Sequence, residues 1–452
     1  MEILLKKING TNDFLPPLTT KYNILKKIII EKVESFGFSE IQTPIIELAE
    51  LFYHAIGNGT DINEKEMYCF LDRNGKNICL RPELTASAVR AYLENFYFNI
   101  GKKIENGEEK RFLLGNPPLV KWYYLGSAFR CERPQKGRYR QFNQFGVEVI
   151  GRQNSDIDFE IIFLALEIFK VLKLNNLKIK LNSIGCSICS PKYKENLKKY
   201  ITKYLNDLCD ECRNQRYEKN LLRILDCKSN KCSYYLNNMP IFLDYLCNEC
   251  TNHFENVIKN LNNFNINYSL DSRLVRGLDY YTKTVFEISS DLLGAQNSIC
   301  GGGRYDNLSE VIGGPSVPAA GFAIGMERLM MLCANSLDIK KDNILYTVIL
   351  GEKAKHFMIP LIFNLQKEAC NRKIKLKIER DYQSQSLTNQ LREANKVGAN
   401  FALILGENEL NERKIILRNL SISSQEDIFF DIGENKEEIL NKLSEDILKK
   451  II

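Results

Sequence analysis

A chain of 452 residues is too long for one ordinary hydrophobic core, so two or three modules are expected. With 44% hydrophobic and 26% charged residues it is neither disordered nor fibrous, and a net charge of +6 admits a polyanionic partner without demanding one. The opening MEILLKKINGTNDFLPP lacks the apolar run of a secretory leader, and IIFLALEIF and AIGMERLMML are too short or too charged to span a bilayer. A soluble, cytoplasmic protein with no membrane partner is therefore expected.

Apolar residues at helical spacing run through TTKYNILKKIIIEKVESFG and stop at Gly37, after which FSEIQTPIIE reads as extended. ICLRPELTASAVRAYLENF predicts a short strand, a break at Pro82 and a helix. LVKWYYLGSAFRCE and RQFNQFGVEVIG predict an antiparallel hairpin joined by the polar loop RPQKGRY, followed by the helix IDFEIIFLALEIFKVL. From about Ser183 to Phe254 the texture changes to Lys- and Asn-rich helical stretches punctuated by cysteine pairs, which reads as an insertion. Strand character returns in SLDSRLVRGLDYYTKTVFEISS, and NSICGGGRYDNL with PAAGFAIGMERLMMLCANSL predicts a glycine turn, a strand and a helix. Past a polar linker from Leu337 to Asn343, strands NILYTVILG, IKLKIERD and FALILGE alternate with helices, an α/β unit with a largely parallel sheet. The helix KEEILNKLSEDILKKI closes the chain.

The hairpin carries the chemistry. Because strand side chains alternate, Ala128, Arg130 and Glu132 share one face with Phe142, Gln144, Gly146 and Glu148, while Leu125, Phe129, Phe145, Val147 and Val149 point the other way. A guanidinium forks onto phosphate oxygens, a ring offers a stacking surface, and Glu and Gln select a hydrogen-bonding substrate. That row suits a polyanion held beside a polar organic molecule; a solvated charged face is the plain alternative. LVRGLDYYTKTVFEI adds Arg276 and the pair Tyr280, Tyr281 at a bend, and GFAIGMERL sets Arg328 at the start of a helix, where dipole and charge favour phosphate.

Eight of the fourteen cysteines fall in the insertion as Cys186-x-x-Cys189, Cys209-x-x-Cys212, Cys227-x4-Cys232 and Cys247-x-x-Cys250. Paired short spacings in an intracellular chain read as zinc ligands, enough for two four-sulfur structural Zn2+ sites, with free thiols or occasional disulfides as the alternative. Their pairing is open from spacing alone. Cys69, Cys79, Cys131, Cys300, Cys333 and Cys370 are scattered and read as free thiols.

Taken together, GTNDFLPP, FGFSEIQTPIIE, EKEMYCFLDRNG, LRPELTA, FRCERPQKGRYRQFNQFGVEVIG, LVRGLDYYTKTVFEI and PAAGFAIGMERL resemble the histidyl-tRNA synthetases, class II aminoacyl-tRNA synthetases, over essentially the whole length. The resemblance implies an α+β fold. A catalytic domain with an antiparallel sheet would take residues 1–182 and 256–336, an inserted Cys-rich helical domain 183–255, and an anticodon-binding α/β domain 343–452. It implies that L-histidine and ATP, as its Mg2+ complex, give histidyl-adenylate, and that histidine then passes to the 3′ end of the cognate tRNA. It also implies a homodimer, through motif 1. The histidine carboxylate is already ionised at neutral pH, so the first step needs charge relief and alignment rather than a general base.

Carried over by position, Arg130 would bridge the substrate carboxylate and the α-phosphate, and Arg276 would stabilise charge at the same phosphorus. Arg138 and Arg328 would brace the β- and γ-phosphates, and Phe142 would stack on adenine with Glu132 nearby. Glu83, Leu84 and Thr85 form the histidine-binding turn, with Glu83, Thr85 and Gln144 toward the ammonium group. Glu148 and Tyr281 would bond the two imidazole nitrogens, with Tyr280 alongside, and Gln135 would touch the tRNA acceptor stem. Asn9 and Asn143 depart from the basic residue and the histidine common at those places; neither is an expected substrate ligand. His54, His253 and His356 fall outside the motifs and receive no catalytic role. The metal sites would staple a small domain near the acceptor arm. The rival reading is a non-catalytic, histidine-sensing regulatory subunit of ATP phosphoribosyltransferase; such a subunit typically lacks the anticodon domain and erodes these motifs.

Overall fold

The computed structural model of the chain describes residues 5–57, 60, 62–96, 100–105, 108–113, 115–294, 297–339, 343–383, 385–431 and 435–451. It divides into two units, Met1–Asp338 and Ile339–Ile452.

The first unit is built on an eight-stranded sheet. Its order is Ser39–Glu40, Val120–Phe129, Gln141–Ile150, Ala319–Gly325, Ser298–Arg304, Thr282–Ser290, Leu177–Ser183, Ser269–Leu270. The six central strands pair antiparallel, and the two-residue edge strands pair parallel. Alternation in QFNQFGVEVI sends Phe145, Val147 and Val149 to one face, where they pack with Phe286, Ile288, Phe322 and Ile324. Four helices cover that face. Leu25, Ile29 and Val33 of Leu18–Glu34 recur every fourth residue, and Ser155–Val171, Asn248–Asn263 and Met326–Cys333 add Ile161, Val257 and Leu329 to the same core. Each such side chain, removed from water, contributes about 1.5–3 kcal/mol. The opposite face is covered only in part, by the helix Thr85–Asn95, whose Ala88 packs on Tyr124 and Ala128, and the rest of that face lines a cavity.

The first hairpin strand ends at Phe129, earlier than the alternation predicts. Arg130 N still donates to Arg140 O at 2.9 Å, adding one rung, but Glu132 lies beyond it and takes its direction from the connecting turn. That turn is narrow: Gln135 and Arg138 exchange backbone hydrogen bonds of 3.1 and 2.9 Å around Gly137.

The insertion has its own apolar cluster, including Tyr193, Leu197, Ile201, Leu208, Ile224 and Phe242 with Cys189, Cys212, Cys232 and Cys250 among them. Apart from the helix Cys189–Lys203, its elements before Asn248–Asn263 are at most seven residues long.

The second unit holds a five-stranded sheet ordered Leu376–Arg380, Asn343–Leu350, Phe401–Gly406, Lys414–Asn419, Ser424–Phe429. Three strands are parallel, as the sequence pattern predicts, and two are added antiparallel, so the sheet is mixed. The last two escape sequence reading because KIILRN and SQEDIF are short and mostly polar. Helices Glu352–Asn371 and Lys436–Ile451 share one core with the sheet, while Ala394 of Leu387–Lys396 joins Val348 and Ala402 in another.

Candidate active site

A cavity of about 780 Å³ opens over the uncovered part of the first sheet, within the usual range for a small-molecule site. Thr85, Arg130, Glu132, Arg138, Phe142, Gln144, Arg276, Tyr280, Tyr281 and Arg328 all line it. They come from stretches nearly 250 residues apart, brought together by strand pairing of Gln141–Ile150 with Ala319–Gly325 and of the latter with Ser298–Arg304.

Four arginines are each held on an acceptor while keeping donors to spare. Arg130 Nε donates to Pro82 O at 3.0 Å, with its guanidinium 5.2 Å from the centre of the Phe142 ring. Arg138 pairs with Glu132 at 3.1 Å. Arg328 donates from Nε to Gly137 O (2.9 Å) and from Nη1 to Ser298 O (2.8 Å). Burial lowers the Arg328 pKa, and the positive charge of Arg138 lowers it further. Three cations crowded on one wall are what a polyphosphate would relieve. Arg276 pairs with Glu287 at 3.0 Å; its Nε and the Oε1 of Gln144 have no hydrogen-bond partner among the described residues. A buried polar atom without a partner costs free energy until a polar group reaches it.

Glu83 and Glu148 lie beneath the lining, each 1% exposed. Glu83 accepts from the backbone N–H groups of Thr85 (2.7 Å) and Ala86 (2.8 Å), fixing the start of the helix Thr85–Asn95, and burial raises its pKa. Glu148 accepts from the hydroxyls of Tyr124 (2.9 Å) and Tyr305. Burial pushes it up to about 8, against the lowering effect of those hydroxyls. Burial likewise pushes Tyr281 up to about 12, so it is a neutral phenol with a proton to donate. Tyr280, Tyr281 and Tyr305 form one aromatic group, with ring centres 4.8 to 6.2 Å apart.

Leu84 is 1% exposed and packs with Ala88, Tyr124 and Ala128 rather than facing the cavity. Gln135 is exposed on the hairpin turn, away from the cavity lining. Asn143 donates from its backbone N (2.8 Å) and Nδ2 (3.0 Å) to Glu327 Oε1, tying the hairpin to the helix that carries Arg328. Sequence reasoning missed Tyr124, Tyr305, Glu287 and Glu327. The signal for Tyr124 was present, since it continues the alternation of Ala128 and Gly126; nothing local marks the others.

The cysteine pairs meet in two groups, Cys186, Cys189, Cys247 and Cys250, and Cys209, Cys212, Cys227 and Cys232, each with all sulfurs within 4.8 Å. Sulfur separations of 3.5, 3.6, 3.7 and 3.9 Å occur within them. A tetrahedron with Zn–S bonds near 2.3 Å has edges of about 3.8 Å, so both groups fit zinc.

An antiparallel six-strand core, four helices on one face and an arginine-lined cavity over part of the other define the fold as that of a class II aminoacyl-tRNA synthetase. Residues 10–102 and 111–329 match the family model described as Histidyl-tRNA synthetase, and 343–442 that described as Anticodon binding domain. The chain is 45% identical over 394 residues to the histidine–tRNA ligase of Thermodesulfovibrio yellowstonii, covering 87% of this chain and 88% of that one. It is 41% identical over 432 residues to that of Caldanaerobacter subterraneus, covering 95% and 98%. The crystal structure of apo histidyl-tRNA synthetase from S. aureus superposes with a TM-score of 0.74 at 30% identity, covering 97% of this chain and 100% of that one. The chain belongs to the histidyl-tRNA synthetase family, and its activity is ATP-dependent ligation of histidine to tRNA. A regulatory role is not favoured: the likeness to a Bacillus halodurans ATP phosphoribosyltransferase regulatory subunit/histidyl-tRNA synthetase, at 17% identity, is one of fold.

Proposed function

We propose that the cavity activates histidine with the residues that line it, in two regions. Arg130, Arg138 and Arg328 take the triphosphate, with adenine displacing the Arg130 guanidinium from the Phe142 ring. Arg276 meets the α-phosphate as charge builds there in the in-line attack of the histidine carboxylate. Mg2+, carried in with ATP, supplies further neutralisation of the phosphate oxygens. Thr85 and Gln144, with Glu83 behind them, hold the ammonium group. Glu148 and Tyr281 take the two imidazole nitrogens, with Tyr280 and Tyr305 fixing their directions. An amino acid lacking those nitrogens forgoes both hydrogen bonds, which is the physical basis of selection.

The observation that carries this reading is the gathering of Arg130, Arg138, Arg276 and Arg328 with Thr85, Gln144 and Tyr281 around one cavity. Its test is histidine-dependent exchange of pyrophosphate into ATP by wild type and by Arg276→Ala and Glu148→Ala. Loss of exchange in both variants, with folding intact, is expected; full exchange in either overturns its assigned role.

The exposed Gln135 turn would meet the acceptor end of the cognate tRNA, and residues 343–452 its anticodon. Residues 183–255 would act as a domain inserted between the two catalytic parts, 1–182 and 256–336, stapled by two structural zinc ions on the two cysteine groups. We read the working enzyme as a cytoplasmic homodimer. Among the described residues no helix is long and apolar enough to cross a membrane.

A further inference from the structure

The inner cysteine group, Cys209, Cys212, Cys227 and Cys232, is joined to the amino-acid site by the stretch of chain that its own ligands close. Between Cys212 and Cys227 lie only a five-residue π-turn, a three-residue helical turn and a four-residue 3-10 turn. Turns this short do not hold themselves in water, since helix nucleation costs more than one or two hydrogen bonds return.

Yet this stretch makes four hydrogen bonds with the segment 273–281. Arg223 Nη2 donates to Gly277 O at 3.2 Å, and Asn220 Nδ2 donates to Asp279 Oδ2 at 2.6 Å. In the reverse direction, Arg273 donates to Leu225 O (3.4 Å) and to the carbonyl of the ligand Cys227 itself (3.2 Å). Arg216 braces Arg223 by donating to its carbonyl at 2.9 Å. Arg276 sits between Arg273 and Gly277, and Tyr280 and Tyr281 follow Asp279 directly. Leu225, Asp226, Cys227 and Lys228 also form part of the cavity wall.

The segment being held has little structure of its own. From Asp271 to Tyr281 no residue belongs to a helix or strand. Two irregular stretches therefore support each other, and the four sulfurs, gathered within 4.8 Å, bracket one of them. Closing the chain between ligands 18 residues apart removes loop entropy from the stretch that touches 273–281.

We propose that the metal held by Cys209, Cys212, Cys227 and Cys232 is a positioning element of the amino-acid site: through Asn220, Arg223 and the Cys227 carbonyl it sets where Tyr280 and Tyr281 meet histidine. This rests on the zinc reading of the two cysteine groups and on the assignment of Tyr280 and Tyr281 to the histidine end of the cavity. Asn220 and Arg223 touch no substrate in this scheme; they act through segment 273–281.

The experiment uses full-length protein and three variants, Cys232→Ser, Arg223→Ala and Arg223→Lys, with zinc content, circular dichroism and pyrophosphate exchange measured on each. Wild type is expected to hold two zinc ions and Cys232→Ser one. The histidine KM of Cys232→Ser should rise about tenfold while the ATP KM changes less than about twofold. Arg223→Ala should keep both zinc ions and raise the histidine KM about fivefold, with Arg223→Lys recovering part of the loss. An unchanged histidine KM in Arg223→Ala overturns the proposal even if Cys232→Ser fails to fold. Equal rises in both KM values report general loosening and also overturn it. A zinc-free, fully active wild type rejects the zinc reading and leaves the synthetase function standing.

Discussion

The guanidinium of Arg276 occupies the space that any side chain on Gly301 would need. Gly301 is the first glycine of the GGG run, and its backbone has no unusual torsion that would otherwise require it. The glycine is there for room. Gly301→Ala should therefore expel Arg276 and break its 3.0 Å pair with Glu287. We expect pyrophosphate exchange to fall by at least about a hundredfold in kcat, as for loss of a donor to a developing charge, with a smaller change in histidine KM. Arg276→Ala should behave alike. Exchange at the wild-type rate in Gly301→Ala would show that Arg276 is dispensable where it stands.

Glu148 gives a pH signature. Burial places its folded pKa at about 8, above the ordinary carboxylate value, so across that interval the unfolded chain binds fewer protons than the folded one. Stability contributed by this group is whole below the ordinary value and declines as pH rises through the window, ending near 8. The loss is on the order of 4 kcal/mol. Glu148→Gln cannot ionise and should show a flatter fall of stability between about pH 5 and pH 8, read by denaturant melts. Parallel curves for the two proteins would place the ionisation elsewhere.

How much of this was legible beforehand differs by element. The hairpin faces could be read because alternation is a local rule, and Phe145, Val147 and Val149 lie in the core as the period demands. The partners of Glu148 could not: Tyr305 is 157 residues away, and only the pairing of three strands brings its hydroxyl to the carboxylate. Spacing showed that the cysteines work in pairs but not which pairs meet, since that depends on the insertion folding back on its own base. Glu132 shows the limit of the period itself, which stops counting where the strand stops.

Arg304 tests the scaffold under the site. It is fully buried and donates to Asp158 Oδ1 at 2.9 and 2.5 Å, to Asp306, and to the carbonyls of Arg152 and Asn154. Burial alone would raise Asp158, but Arg304 and then His253, 2.7 Å from its other oxygen, hold it below the usual carboxylate range. Arg304→Met leaves a buried carboxylate with one partner and should cost about 3–5 kcal/mol in urea unfolding. A cost under about 1 kcal/mol would mean that water reaches the site.

Metal removal is the simplest check on the cysteine groups. Purified protein should carry about two zinc ions, and a strong chelator should lower the melting temperature by at least about 5 °C. Less than one equivalent of zinc, with melting indifferent to chelation, would return all eight residues to the status of plain thiols.

The two cysteine groups are nested rather than crossed: Cys189 and Cys250, 61 residues apart, enclose Cys209 and Cys227, 18 apart. A ribosome releases the chain from one end, so all four inner sulfurs emerge and can assemble before Cys247 and Cys250 do. The inner loop is also the shorter to close. Order of synthesis and order of closure therefore agree, and the outer pair seals the insertion only after the part that faces the cavity has been set.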